Sequence, residues 1–386
     1  MQLQQVLAFM LSRLRLPEVI MRRTIVLLLV LMLMSCLCSC KKAGTEASGS
    51  EPVVEQPKRE GSATELVSSK KNVIYAYTLS DVTYPDQFTA IVISFLDTFP
   101  DGSVRESSFP HLKDTLDKFH EEHPYTKVIA GLGGASNSER LGEAIMDADK
   151  RKVLAETTAA LIKDRSIDGV DLDWEYYSDY AECNAAYLDL ARQLRSLLGD
   201  GYIISMAGQS SPRFYEEESC VTMMNEVLDY TSVMTYDFDY SGRTNSTIAY
   251  NGNFSMLKTT MNGYAAVVKD KSKLVVGLPL YGLKFWVEEK RIYHRGESAK
   301  RYEGDFGYGK ISVEIGDAKI EYDDDNGVAL AFKTRYMYTF DDPVTVTTKT
   351  NWACENGFGG MMAWVASSDD GLFSLERAVV TELNKY

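Results

Sequence analysis

Residues 168–177 decide the fold, and they read Asp168-Gly169-Val170-Asp171-Leu172-Asp173-Trp174-Glu175-Tyr176-Tyr177. Acidic and apolar residues alternate here, and successive residues of a β-strand point to opposite faces. Asp171, Asp173 and Glu175 therefore share one face, and the apolar residues between them share the other. In a closed parallel barrel, apolar side chains on the outer face of a strand pack against helices. We therefore expect the three acids to point into a barrel.

The rest of the chain contains the strands and helices that such a barrel needs. Eight short apolar runs have the composition of buried parallel strands, and they span residues 73–77, 90–95, 127–132, 169–174, 202–207, 231–236, 274–280 and 359–364. Segments 150–163, 181–198 and 372–383 carry apolar residues at helical spacing. Eight strand–helix repeats predict an α/β fold, a (β/α)8 TIM barrel, with an open doubly wound sheet as the alternative.

The interval between the seventh and eighth runs is the longest in the series. Within it, residues 311–315, 319–322 and 328–332 have the pattern of short antiparallel strands. We therefore predict a small α+β or β insertion at about 283–340, on the catalytic rim of the barrel. A long loop without its own core is the alternative.

The inward acids indicate catalysis, because buried like charges repel one another and lose hydration without any gain in stability. Burial and like charge raise at least one carboxyl pKa, so that a proton can be held near neutral pH. Glu175 lies nearest the carboxyl-terminal mouth, where barrel active sites form, and we predict that it donates a proton to a leaving oxygen. Asp173 can share this proton, so the two carboxyls should titrate as a coupled pair. A solvated acidic strand face is the alternative, and the apolar opposite face argues against it.

The segment DGVDLDWE at 168–175 resembles the DGxDxDxE signature of glycoside hydrolase family 18, the chitinase-like barrels. Other segments agree in the same order: KVIAGLGG at 127–134, VMTYDF at 233–238, VGLPLYG at 276–282, FDDP at 340–343 and GGMMAW at 359–364. The resemblance covers residues 72–386. Two departures are Gly131, where the family has Ser, and Tyr177, where many chitinases have Pro. The segment after Phe238 also lacks a Trp-containing loop, which puts a long chitin groove in doubt.

The resemblance implies a retaining hydrolase of β-1,4-linked N-acetylglucosamine, in chitin or chitooligosaccharides. It implies that Glu175 is the general acid/base, that Asp173 orients the 2-acetamido group of the substrate, and that Asp171 supports Asp173. It assigns substrate binding to Tyr236, Asp237, Met234, Trp364, Tyr75, Phe95 and Tyr281. In this family the acetamido oxygen of the substrate replaces the second carboxylate as nucleophile.

Two alternatives remain open at this stage. One is an endo-β-N-acetylglucosaminidase that acts on the chitobiose core of N-glycans, because loops decide between that substrate and chitin. The other belongs to a different class, a non-catalytic glycan-binding lipoprotein. Chitinase-like lectins keep the barrel but replace the acid, and the presence of Glu175 argues against this alternative.

Composition limits the partners of the chain. Its 386 residues are 45% hydrophobic and 25% charged, which is a globular composition. The net charge of −14 argues against binding to nucleic acid. Cys183, Cys220 and Cys354 are too scattered for a disulfide framework or a zinc site, and only four histidines are present. We expect no cofactor, no metal and a monomer whose partner is an oligo- or polysaccharide that contains N-acetylglucosamine.

The N-terminus has the pattern of an export signal. Arg22 and Arg23 precede an apolar run at 24–34, which has the length of a signal-peptide core and is short for a membrane span. The following residues 37–40, LCSC, resemble a bacterial lipobox with Cys40 as the lipidated residue. Cys36 is a second candidate for lipidation, and an ordinary secretory signal is the alternative.

These patterns predict three regions along the chain. Residues 1–40 form the signal peptide and lipobox, residues 41–71 form a flexible tether of small and charged residues, and residues 72–386 form the barrel. The protein is expected to be exported and anchored by lipid alone to a bacterial membrane, facing either the periplasm or the cell exterior.

Overall fold

A computed structural model describes residues 66, 68–106, 109, 111–175, 177 and 179–386. Its strands in chain order are β1 (Lys71–Ala76), β2 (Ala90–Thr98), β3 (Val104–Arg105), β4 (Lys127–Gly133), β5 (Gly169–Asp173), β6 (Ile203–Gly208), β7 (Tyr230–Val233), β8 (Leu274–Pro279), β9 (Tyr281–Trp286), β10 (Arg301–Gly307), β11 (Ile320–Asp323), β12 (Val328–Lys333), β13 (Tyr336–Phe340) and β14 (Gly360–Trp364).

The α-helices of the described ranges lie mostly between these strands. They are α1 (Leu112–Glu122), α2 (Ser138–Met146), α3 (Ala148–Asp164), α4 (Tyr180–Leu198), α5 (Pro212–Tyr215), α6 (Glu218–Glu226), α7 (Tyr240–Asn245), α8 (Phe254–Val267), α9 (Tyr308–Ile315), α10 (Pro343–Glu355) and α11 (Ser374–Leu383). The segments predicted as helices at 150–163, 181–198 and 372–383 correspond to α3, α4 and α11.

Eight parallel strands close into the predicted (β/α)8 barrel. They pair in the order β1, β14, β8, β7, β6, β5, β4 and β2, and β1 also pairs with β2, which closes the ring. Each predicted apolar run corresponds to one of these strands. The run at 231–236 is longer than its strand, because β7 ends at Val233 and the chain then turns into the barrel mouth.

The two faces of β5 separate as the alternation predicts. Val170, Leu172 and Trp174 are at most 4% exposed, and they pack in the apolar layer between the barrel and its helices. Asp171 and Asp173 are 0% and 4% exposed, and they point into the barrel. Glu175 follows two residues after the strand ends, at the carboxyl-terminal mouth.

One glycine lets the strand beside the acids come close to them. Gly133 of β4 pairs with Asp173 of β5 and has a φ of 115°, in the region that favours glycine. A Cβ atom at this position would lie 2.1 Å from the carbonyl oxygen of Asp173. The glycine is therefore required for the approach of β4 to β5 at the mouth.

The insertion between β8 and β14 has its own sheet. Five strands pair antiparallel in the order β10, β9, β13, β12 and β11, with α9 packed against them. This confirms an insertion of mixed α+β structure. The strand predicted at 311–315 is wrong, because these residues belong to α9. Ile311 and Ile315 are buried four residues apart while Val313 is 81% exposed, and this spacing is helical.

The predicted signal peptide, the lipobox and most of the predicted tether lie outside the described residues. Within the described ranges, no helix is long and apolar enough to span a membrane. Cys183, Cys220 and Cys354 are buried free thiols.

Candidate active site

Asp171 is held at the base of the site by two hydroxyl groups. Tyr75 Oη donates a hydrogen bond to Asp171 Oδ2 at 2.7 Å, and Ser205 Oγ donates one to Oδ1 at 2.5 Å. Burial raises the pKa of Asp171 to about 6, and the hydrogen bonds from Ser205 and Tyr75 oppose this rise. Asp171 is thus fixed in position beneath the other acids.

Asp173 lies nearer the mouth than Asp171 and has fewer hydrogen-bond partners. Its Oδ1 atom is buried and accepts no hydrogen bond from any residue in the described ranges. Burial raises the pKa of Asp173 well above its ordinary value, and the charges of Glu175 and Asp171 raise it further. Asp173 is therefore suited to hold a proton near neutral pH, as the sequence predicts for one of the acids.

The segment that connects β4 to α2 holds the backbone of Glu175 in position. Its backbone N–H donates to Ser138 Oγ at 2.9 Å, and the same hydroxyl donates to the carbonyl oxygen of Gly134 at 3.0 Å. Ser138 begins α2, so the loop after β4 fixes the backbone of Glu175. The carboxyl group of Glu175 lines the cavity at the barrel mouth.

A cavity of about 850 Å³ opens at the carboxyl ends of the barrel strands, within the usual range of about 300–1,000 Å³ for ligand sites. The structure brings most of the predicted site residues together in its lining: Asp173, Glu175, Tyr236, Asp237, Met234, Trp364, Tyr75, Phe95 and Tyr281. Asp171 does not line the cavity, but it accepts a hydrogen bond from Tyr75, which does.

Aromatic rings form one wall of this cavity around Trp364, the last residue of β14. The Trp364 ring lies 5.6 Å from Tyr75, 6.0 Å from Tyr77 and 5.9 Å from Phe95, between ring centroids. A Cβ atom at Gly131 would lie 2.8 Å from the Phe95 ring. The departure at Gly131 therefore makes room for Phe95 beside Trp364. Such a surface suits the apolar face of a sugar ring.

Tyr236 and Asp237 follow β7 and face the acids. Burial, and then Tyr281, raise the pKa of Tyr236 well above its ordinary value, so that its hydroxyl remains a donor. Asp237 Oδ1 accepts hydrogen bonds from Tyr281 Oη at 2.9 Å and from Arg243 Nη2 at 2.5 Å. The Asp237 backbone has a φ of 58°, and its N–H donates to Asn251 Oδ1 at 3.1 Å. Asp237 is therefore held in one orientation.

Arg243 is a site residue that the sequence analysis missed. Its side chain is 10% exposed, and its Nε donates to Asp305 Oδ1 at 3.3 Å. Asp305 belongs to β10 of the insertion, and it also accepts a hydrogen bond from Tyr302 Oη at 2.5 Å. Arg243 thus connects Asp237 to the insertion. No motif marks it, because the contact depends on how α7 folds back over the mouth.

Further lining residues were also missed, namely Tyr77, Ala135, Ser136, Tyr177, Tyr180, Ala207, Gln209 and Ser210. They end or follow barrel strands, which is the signal that could have found them.

Within the described ranges, no group of three or more His, Cys, Asp or Glu side chains could hold a metal ion. The residues that line the cavity can donate a proton from a carboxyl group and can hydrogen-bond a polar substituent of a sugar.

Comparison with known proteins gives consistent matches. The family model for glycosyl hydrolases of family 18 matches residues 64–369. Chitinase 1 of Aphanocladium album is 28% identical over 264 residues, which are 63% of this chain and 62% of that protein. The chain thus spans less than two thirds of the length of this relative.

Two solved structures share the fold. A class V chitinase from Nicotiana tobaccum, in complex with NAG4, superimposes with a TM-score of 0.73 at 19% identity, over 82% of this chain and 99% of that chain. A chitinase-like agglutinin from Robinia pseudoacacia also has a TM-score of 0.73, at 20% identity, over 81% of this chain and 99% of that chain. Both likenesses concern the fold.

Proposed function

Because the chain belongs to the glycosyl hydrolases of family 18, we propose that it hydrolyses β-1,4-linked N-acetylglucosamine with retention, and that chitin or its oligomers are the substrate. One observation carries the proposal, namely Glu175 in the cavity wall with the buried Asp173 and Asp171 behind it. The similar chitinase and the solved chitinase complex with NAG4 support this choice of substrate.

Glu175 would act first as a general acid. It transfers its proton to the glycosidic oxygen as the bond from that oxygen to the anomeric carbon breaks. Burial and the charges of Glu175 and Asp171 raise the pKa of Asp173 and so favour its protonated form, which would accommodate the negative charge left on Glu175. In the second step Glu175 takes a proton from water, which attacks the anomeric carbon.

The substrate would supply the nucleophile. The carboxylates that line the cavity are Asp173, Glu175 and Asp237. Asp237 is engaged by Arg243 and Tyr281, and Asp173 lies on the same strand face as the acid. We therefore assign the attack on the anomeric carbon to the acetamido oxygen of the substrate, which gives an oxazolinium intermediate. Water then opens this ring and restores the acetamido group, so that two inversions give net retention.

The experiment that tests this function is a turnover assay with mass-spectrometric detection of products. The substrates are chitooligosaccharides and high-mannose glycopeptides, and the matched control is Glu175→Gln. Cleavage of the oligosaccharides by the wild type but not by Glu175→Gln is expected. Cleavage confined to glycopeptides would assign the enzyme to N-glycan cores, and binding without turnover would make it a lectin.

We also propose that the protein is exported and anchored by lipid at Cys40, on the basis of the lipobox-like residues 37–40. Cys40→Ser should release the protein from the membrane fraction. Release by Cys36→Ser, with Cys40→Ser still bound, would assign lipidation to Cys36 instead.

A further inference from the structure

A buried ion pair lies outside the catalytic cavity and takes no part in the proposed proton transfer. Lys349 of α10 is 0% exposed, and Asp341, which follows β13, is 3% exposed. Lys349 Nζ donates a hydrogen bond to Asp341 Oδ1. Burying two charges costs free energy that their mutual attraction often fails to offset, so stability alone does not explain such a pair.

The carboxyl group of this pair has only one of its oxygens engaged. Asp341 Oδ1 accepts a second hydrogen bond from Thr345 Oγ1 at 2.7 Å. Asp341 Oδ2 is buried and accepts none from any residue in the described part of the chain. Burial raises the pKa of Asp341, and the charge of Lys349 opposes this rise. A pair that is this costly to bury points to a role beyond stability.

The second acceptor of Lys349 connects the pair to the loop that returns from the barrel mouth. Lys349 Nζ donates to the carbonyl oxygen of Gly252 at 2.5 Å. A Cβ atom at Gly252 would lie 2.3 Å from Asp341 Oδ2 and 3.0 Å from Lys349 Nζ. Only glycine therefore lets the loop approach the pair so closely.

The residue before this glycine holds two residues of the catalytic cavity. Asn251 is 3% exposed, its Oδ1 accepts from the backbone N–H of Asp237 at 3.1 Å, and its Nδ2 donates to the carbonyl oxygen of Tyr281 at 3.3 Å. The φ of 58° at Asp237 is uncommon for a residue other than glycine and persists where neighbours fix it. Because Gly252 follows Asn251 directly, a fixed Gly252 carbonyl limits where the Asn251 side chain can lie.

We propose that Lys349 and Asp341 are positioning residues for substrate binding. By holding the Gly252 carbonyl they fix the Asn251 side chain, and with it the orientation of Asp237. The inference rests on the proposed function, because it assigns the pair to the same site. Loss of the pair should therefore weaken substrate binding and leave the proton transfer by the catalytic acid unchanged.

The test replaces both members of the pair by apolar side chains of similar shape, in the double variant Asp341→Leu/Lys349→Met. A single change would leave one buried charge without its partner and would destabilise the fold strongly. The double variant leaves neither charge, and Gly252 loses its donor. Denaturant titrations establish that each variant is folded under the assay conditions.

A second variant keeps both charges and disturbs the same contact. Gly252→Ala places a Cβ atom against Asp341 Oδ2, so the loop must shift. It should change the same quantities as the double variant. The matched control is Lys284→Met/Glu314→Gln, which removes an ion pair of 2.6 Å between β9 and α9 of the insertion. The control should behave like the wild type.

The first readout is amide hydrogen exchange, which needs no substrate. Exchange at the Asp237 N–H should become about threefold to tenfold faster in both test variants, because its hydrogen bond to Asn251 opens more often. The amides of β5 should keep their wild-type rates. Unchanged exchange at Asp237 would overturn the proposal, and an equal acceleration in β5 would reduce the pair to a stabiliser of the whole fold.

The second readout is steady-state kinetics on chitohexaose. KM should rise about threefold to tenfold, which is the worth of one neutral hydrogen bond, while kcat stays within about twofold of wild type. Combined with Asn251→Ala, the double variant should lose no more than Asn251→Ala alone, because both changes act through Asn251. A lower kcat at unchanged KM, or faster exchange at unchanged KM, would overturn the role in binding.

Failure of the proposed function would be visible separately, as absence of chitohexaose turnover by the wild type. Exchange at Asp237 would then still decide whether the pair holds the loop, because it is measured without substrate.

Discussion

Arg243 offers a sharp test of how the site holds its substrate. Arg243→Gln removes the charged donor that bonds Asp237 Oδ1 at 2.5 Å and keeps a side chain of similar polarity. Asp237 would keep its hydrogen bond from Tyr281. We expect Asp237 to become less fixed and substrate binding to weaken.

The magnitude follows from the environment of the pair. A hydrogen bond to a charged group contributes about 1.5–3 kcal/mol. The Asp237 side chain is 40% exposed, so water screens the interaction and the lower end applies. A loss of about 1.5 kcal/mol corresponds to roughly tenfold in kcat/KM. Most of the loss should appear in KM, because Arg243 positions Asp237 and does not touch the reacting atoms.

The assay is steady-state kinetics on chitohexaose with Arg243→Gln, Asp237→Asn and the double variant. Because the two residues act through one contact, the double variant should lose less than the sum of the single losses. Arg243→Lys should recover part of the activity. Additive losses, or wild-type kinetics in Arg243→Gln, would refute the positioning role.

Two further variants test the acid and the stability of the fold. Glu175→Gln should lower kcat by about 10²–10⁴-fold while oligosaccharide binding survives, because an amide cannot donate the proton. Steady-state kinetics measures the first effect and calorimetry the second. Activity within tenfold of wild type would show that Glu175 is not the proton donor. Glu376 is 0% exposed, and burial, followed by the nearby Asp369, raises its pKa well above its ordinary value of 4.5. The folded state thus holds a proton that the unfolded chain releases above about pH 4.5, and the free energy of unfolding should fall by up to about 1.4 kcal/mol per pH unit from there upward. Glu376→Gln should flatten this decline in denaturant titrations between pH 5 and 8, and an unchanged slope would contradict it.

The barrel could be predicted because its strands are buried on both faces. Such strands are short apolar runs that differ from the amphipathic helices between them. The acids of β5 interrupt this rule at alternate positions, and that exception is the signal from which the candidate site was predicted. Local sequence therefore contained most of the information on the barrel and on Asp171, Asp173 and Glu175.

The insertion and the contacts across the mouth could be predicted less well. Residues 311–315 alternate like a strand, and only packing of α9 on the sheet shows that Val313 faces solvent. Arg243 reaches Asp305 over 62 residues of sequence. Tyr180 and Arg213 come together from loops after two different strands. These contacts arise from the tertiary fold, and no local pattern predicts them.

The requirement for an N-acetyl group tests the central claim most directly. Matched oligosaccharides would be assayed that differ only at the sugar on the nonreducing side of the cleaved bond, with N-acetylglucosamine, glucosamine or glucose in that position. If the acetamido oxygen attacks the anomeric carbon, only the N-acetylated sugar is turned over, and a thiazoline analogue of the oxazolinium inhibits competitively. Efficient cleavage beside glucose, or a covalent glycosyl adduct on Asp237, would contradict the account and indicate a two-carboxylate mechanism.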